Sequence, residues 1–371
     1  MKVLRYSRVA AVIAVGAIAL TACGTDNATP GSSNNTGSTP AGASVTGTLT
    51  GIGASSQTSA MDAWKTKFAA ANQGAQVQYS PDGSGAGRKA LISGAAQFAG
   101  SDAYLKDDEL ADSKKVCGTD GAIDVPVYIS PIAVAYNLKG VSDLKLDAAT
   151  TAKIFRGEIK TWNDPAIAAL NSGVTLPSTA ITAVHRSDNS GTTQNFTDYL
   201  AQAAPEVWKD KASGDWPSAL GGENAKGTSG VVKQVTQTDG AITYADESAV
   251  GSLGAASIKV GSEFVKISAE GASKAVELSK IADGRGPNDV AIKLDRTTTA
   301  SGVYPVVLVS YQVFCSTYKD QKTVDLVKAF GNYVVSEQGQ KDAVAAAKNA
   351  PLSASLTEKA KKAIDSIKVG S

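Results

Sequence analysis

Histidine is nearly absent from the 371-residue chain, which has one; cysteine and methionine are scarce, with three and two. Metal sites need clusters of His, Cys or carboxylates, so neither a metal nor any other cofactor is expected. The lone imidazole, His185, alternates with Ile181 and Ala183 and reads as a satisfied strand residue rather than a general base. The chain has no G-x-S-x-G nucleophile elbow and no G-x-x-x-x-G-K-[ST] nucleotide loop. Gly85-Ala86-Gly87-Arg88-Lys89-Ala90 meets the loose dinucleotide pattern, but the helix it opens, Arg88 to Ser93, is too short for a crossover of a dozen or more residues. An enzyme, for instance a phosphatase, is therefore the weaker expectation. Neither charge dominates: 36 Lys and Arg stand against 35 Asp and Glu. Without a basic excess, nucleic acid is set aside as a partner. Long apolar runs are also missing beyond the first, and no internal repeat is visible.

The amino end is what the chain does have. Lys2, Arg5 and Arg8 precede an apolar run, Val9 to Leu20, too short to span a bilayer. A basic start, a short apolar stretch and small residues describe a secretory signal. Leu20-Thr21-Ala22-Cys23 resembles the lipobox of bacterial lipoproteins, which makes 1–22 the signal peptide and Cys23 the lipidated first residue. The alternative is an ordinary signal with a cysteine near its cleavage site. Residues 23–44 are mostly Gly, Ser, Thr, Asn, Ala and Pro, the composition of a flexible linker. The protein is expected to be exported, lipid-anchored to the outer face of the cell membrane and otherwise soluble. In that compartment the two remaining cysteines, Cys117 and Cys315, are expected to form a disulfide, the alternative being two separate thiols.

From Val45 onward strands alternate with helices, which implies an α/β protein of a length that suits two domains. Strands are expected at 45–50, 77–79, 97–99, 125–129, 132–136, 181–184 and 306–313. Met61, Trp64 and Phe68 fall at helical spacing, and 324–335 and 356–367 read as terminal helices. In such folds ligands bind beyond the carboxyl ends of the strands, and polar glycine turns stand there. Ser55-Ser56, Ser84-Gly85 and Ser190-Gly191-Thr192 each open a helix. A helix start offers unpaired N–H groups and a partial positive charge, hence an anion site. Arg186 adds a planar fork suited to tetrahedral oxyanions, and Asp188 is placed to hold it. Any one such turn is also a plain helix cap; it is their conjunction that points to anion capture.

Gly100-Ser101-Asp102 carries the sharpest signal. A carboxylate in an anion site makes sense when the ligand brings a proton to donate. Phosphate does near neutral pH, with a second ionisation at roughly 6–7; sulfate and molybdate do not. The competing reading is that Asp102 caps the next helix.

These segments resemble the periplasmic phosphate-binding protein of the bacterial phosphate-specific ABC transporter, in its actinobacterial lipoprotein form. Residues 51–56, GIGASS, match a first phosphate turn that reads G-A-G-A-T-F in the family. Residues 82–87 resemble the second turn, 98–102 the strand ending in Ser-Asp, and 186–192 the motif R-x-D-x-S-G-T. The similarity continues through 154–167, IFRGEIKTWNDPAI, where no ligand role is evident. The resemblance implies a two-lobed periplasmic-binding-protein fold (type II) with the anion in the interlobe cleft. Lobe one would be 45–127 and 303–371, and lobe two 128–302. It implies Ser55, Ser56, Ser84, Arg186, Ser190, Gly191 and Thr192 as phosphate donors, with Ser56 and Gly191 acting through backbone N–H. Asp102 would accept the ligand's proton. The implied partners are inorganic phosphate and the permease subunits of the transporter, with the protein a monomer. A surface adhesin or sensor on the same fold is the alternative. The first turn departs from the family: Ser55-Ser56 stands where Thr-Phe is usual, so Ser55 keeps a hydroxyl while Ser56 lacks the aromatic ring.

Overall fold

The computed structural model describes residues 45–370. The signal peptide, the linker and Cys23 lie outside them.

The chain begins with strands and helices in strict alternation. These are β1 (Gly47–Gly53), α1 (Thr58–Ala71), β2 (Ala75–Ser80), α2 (Ser84–Ile92), β3 (Phe98–Ser101) and α3 (Asp107–Cys117). α1 buries Met61, Trp64 and Phe68, the stripe read from the sequence. The Trp64 indole N–H donates to the Gly339 carbonyl at 2.7 Å, so its polar end is satisfied inside the core. β1 pairs in parallel with both β2 and β3. Their carboxyl ends, and the helix starts that follow, therefore gather along one edge.

The sheet order is β2, β1, β3, Val307–Cys315, β4 (Ala122–Tyr136), Ala241–Asp246, Thr182–Arg186 and Glu223–Ala225. β4 is buried along its whole length. It is one strand where the sequence suggests two, and its prolines explain the difference. Pro126 faces Tyr311 just past a register shift at Ser310/Tyr311. Pro131 is the last residue to face the Val307–Cys315 strand before Ile132 takes up Asp246. A residue without N–H is tolerated where the ladder is already interrupted. β4 thus serves two halves of the sheet, exchanging partners between Pro131 and Ile132.

Around the first half packs a cluster holding Leu91, Ala99, Ile129 and Val309, joined by Ala272, Ala275 and Val276 of the helix Ala269–Glu277. That helix, although inside the 128–302 segment, covers the first half of the sheet. Cys117, closing α3, is disulfide-bonded to Cys315, closing the Val307–Cys315 strand, with 4.5 Å between Cα atoms. The expected pairing is therefore present, and it lies within the same cluster. Among the described residues no helix is long and apolar enough to cross a membrane.

Candidate anion site

Four helix starts meet where the two halves face each other. β1 runs into a short 3-10 turn, Ser55–Gln57, that leads into α1. β2 runs into Gly83, whose φ of 103° is open to glycine and strained for other residues, and α2 begins at Ser84. From the other half come the helices Gly191–Ala203 and Gly227–Gln237. Gly191 sits so close to the first half that a Cβ there would lie 2.5 Å from Ser84 Oγ and 2.7 Å from Asp102 Cβ. The Ser190 hydroxyl caps its own helix, accepting from Thr193 N–H at 3.2 Å, and keeps its hydrogen for another partner. Ser55 Oγ lies 3.0 Å from Thr228 Oγ1 and accepts from the Thr228 N–H at 3.1 Å. At the rim Lys226 pairs with Asp82 at 2.9 Å.

Asp102 follows the end of β3, and α3 starts only at Asp107, so the helix-cap reading does not hold. The carboxylate is buried and surrounded by hydroxyls. Ser56 Oγ donates at 2.7 Å to each oxygen, Ser310 Oγ to Oδ1 at 2.8 Å and Thr192 Oγ1 to Oδ2 at 3.2 Å. Its main chain is held too: its N–H donates to Ser84 Oγ at 3.1 Å and its carbonyl accepts from Asn195 at 2.6 Å. Burial pushes the Asp102 carboxyl above its usual range, against the pull of Ser56, Ser310, Arg186 and Thr192.

Arg186 ends the strand Thr182–Arg186 and is buried. Its Nε donates to Asp188 Oδ1 at 2.7 Å while Nη2 reaches Oδ2, the two-pronged grip expected of this pair. Burial would raise the Asp188 carboxyl, but Arg186 and the Gly227 N–H, 3.0 Å away, bring it below its usual range. Tyr244 Oη accepts from the Arg186 N–H and shares a hydrogen bond with Thr193, fixing strand and helix together. His185 stacks on Trp216 at 4.8 Å with its Nδ1 on the Arg186 carbonyl. It is a packed strand residue, as read from its alternation. Among the described residues no group of three or more His, Cys, Asp or Glu is placed to hold a metal ion.

Comparison with known proteins agrees with this architecture. Residues 38–338 match the model of the PBP superfamily domain. Phosphate-binding protein PstS 3 of Mycobacterium tuberculosis (strain ATCC 25618 / H37Rv) is 38% identical over 338 residues, covering 89% of this chain and 90% of the relative. The chain belongs to the PstS family of the PBP superfamily. A structure of the high-affinity periplasmic phosphate-binding protein PfluDING bound with phosphate superposes with a TM-score of 0.67 at 20% identity, covering 85% of this chain and 93% of that one. The phosphate-binding protein of Stenotrophomonas maltophilia gives 0.65 at 20% identity, with the same coverage. The α/β, two-lobed fold expected from the sequence is the fold of this superfamily.

The residues singled out in the sequence as ligand groups, Ser55, Ser56, Ser84, Asp102, Arg186, Ser190, Gly191 and Thr192, lie at this junction, with Asp188, the support of the Arg186 fork, beside them. Others were missed. Lys226-Gly227-Thr228-Ser229-Gly230 is one more Gly/Ser turn opening a helix, the same signal as the other three. Ser310 was legible as a polar interruption in an apolar strand. Gln57 was not: only the fold shows its Nε2 donating to Ser310 Oγ at 2.8 Å, which turns the Ser310 hydrogen toward Asp102.

Proposed function

We propose that this chain captures inorganic phosphate outside the cell and delivers it to the permease of an ABC transporter. One observation carries the reading: a buried carboxylate, Asp102, stands among convergent helix starts and hydroxyl donors in a chain of the PstS family. Helix starts and hydroxyls suit any oxyanion; a carboxylate among them suits one that arrives with a proton. The Ser55, Ser84 and Ser190 hydroxyls, the Ser56 and Gly191 N–H groups, the part of the Arg186 fork not held by Asp188, and the Thr192 hydroxyl, once its hydrogen turns from Asp102 to the ligand, are the donors. Asp102 accepts the ligand's proton, and Asp188 keeps the fork in one orientation. An anion without a proton would face Asp102 with repulsion and an unsatisfied acceptor, costing several kcal/mol.

The lobes are built from 45–127 with 303–371, and from 128–302 apart from the helix Ala269–Glu277, which packs on the first; they hinge where β4 exchanges partners and close over the anion. The chain is held by lipid on Cys23 to the outer face of the membrane. It acts as a monomeric binding protein without a cofactor, rather than as an enzyme. Isothermal titration of the purified protein with phosphate, with sulfate as competitor, tests this. Micromolar or tighter phosphate binding with sulfate ignored is expected, and Asp102→Asn, which can donate, should admit sulfate. A wild type that binds neither anion, or an Asp102→Asn protein with unchanged discrimination, overturns the reading.

A further inference from the structure

A position where this chain departs from its family also makes the shortest hydrogen bonds to the Asp102 carboxylate. Ser56 stands where the family pattern has Phe, and its hydroxyl reaches both carboxylate oxygens at 2.7 Å. A hydrogen bond to a charged acceptor is stronger than one to a neutral group, so this hydroxyl favours the ionised form. The other donors cannot readily replace it. Ser310 is already turned onto Oδ1 by Gln57, Thr192 is farther away at 3.2 Å, and the Nε and Nη2 of Arg186 are held by Asp188. A carboxyl group this deeply buried tends to take up a proton as the pH falls. Once protonated it is a donor and accepts a fully deprotonated anion as readily as a protonated one.

We propose that Ser56 is a specificity-determining residue: its hydroxyl, shared between both oxygens of Asp102, keeps that side chain an acceptor-only carboxylate and so extends to lower pH the range over which proton-free oxyanions are rejected. The inference rests on the reading of the site as a phosphate site.

The surroundings of Asp102 are consistent with this division of labour. From the second half it faces Arg186, already paired with Asp188, and the carboxylate of Asp246. From β2 and β4 it faces the phenols of Tyr79 and Tyr128, which burial pushes far up, so they stay neutral. Among the influences that oppose the effect of burial on Asp102, the Ser56 hydrogen bond ranks first. Asp246 titrates as well, but it is the same in every Ser56 variant and cannot make them differ.

The test is a sulfate competition series. Phosphate binding to the purified wild type, Ser56→Ala and Ser56→Thr is titrated with and without sulfate, from acid to mildly alkaline pH. The pH below which sulfate starts to compete should rise by roughly one unit in Ser56→Ala, the equivalent of one hydrogen bond to a charged group. Ser56→Thr, which keeps the hydroxyl, should follow the wild type. A role in packing alone would lower affinity at every pH without moving that threshold. The proposal fails if the Ala and wild-type thresholds coincide, or if Thr behaves like Ala. A wild type that binds no phosphate at any pH overturns the functional reading itself, and the inference with it.

Discussion

Gly191→Ala is the substitution whose effect the geometry fixes most narrowly. A methyl group there would lie 2.5 Å from Ser84 Oγ, 2.7 Å from Asp102 Cβ and 2.9 Å from Asp102 N. All three are contacts across the junction between the two halves, and one is to backbone, which cannot swing aside. Within its own helix the change is favourable, since Ala is preferred over Gly by about 1 kcal/mol in a helix interior and less at a first turn. The clash therefore falls on closure and not on folding. Overpacking of this kind costs about 1–3 kcal/mol, which weakens phosphate binding about five- to 150-fold. Titration calorimetry measures the loss, and a melt of the phosphate-free protein should show an unchanged or slightly raised midpoint. Unchanged affinity would mean that the halves do not meet at Gly191 when the anion is bound. A lowered midpoint without ligand would mean that the contact belongs to the resting fold.

Two further outcomes concern stability. Asp246 is buried, with Oδ2 unpartnered, and burial lifts its carboxyl to about 6. A folded value above the unfolded one means that stability is greatest below the unfolded value, near 4, and falls as pH rises through about 6. Asp246→Asn should therefore stabilise the protein at pH 8, by up to about 3 kcal/mol, with the gain vanishing toward pH 4 in paired melts; a gain that persists in acid would point to packing. The Cys117–Cys315 bond closes a loop of sequence separation 198, and chain entropy assigns such a loop about 5 kcal/mol. Cys117→Ser with Cys315→Ser should lower the denaturation midpoint clearly while leaving phosphate affinity within about twofold, because the bond sits within one half. A large loss of affinity would show that it also shapes the cleft.

The turns were legible because their chemistry is local. A glycine with positive φ, a serine at a helix start and an Arg two residues from an Asp can be read from neighbouring residues, and Gly83, Ser84 and the Arg186–Asp188 grip are where the pattern put them. Asp102 stood out because its charge was wrong for the site. What the sequence hid is set by pairing across long separations. β4 reads as two strands because its prolines look like breaks, until the register shows the ladder already interrupted at each one. The helix Ala269–Glu277 covers the first half of the sheet although the chain reaches it from within the second. Gln57 and Ser310 are 253 residues apart, and no local pattern says that one orients the other toward Asp102.

The charges of the site lead to a final point about how it holds an anion. Arg186 contributes one positive charge, and Asp188 cancels it through two hydrogen bonds. Asp102 adds a negative charge, so the three groups together oppose an incoming anion. Beside the hydrogen bonds that Arg186 still offers, binding must then come from neutral dipoles: the N–H groups of Ser56 and Gly191 and the hydroxyls of Ser55, Ser84, Ser190 and Thr192. Such donors keep their strength in a closed, water-poor cleft, where a partner that is not hydrogen-bonded is costly. They also impose geometry, because each must point at an oxygen. A positive site would attract any oxyanion and leave little to tell them apart. A site of fixed dipoles around one carboxylate leaves the ligand's proton as the feature that decides, and that is why the group that holds Asp102 ionised matters as much as the groups that hold the anion.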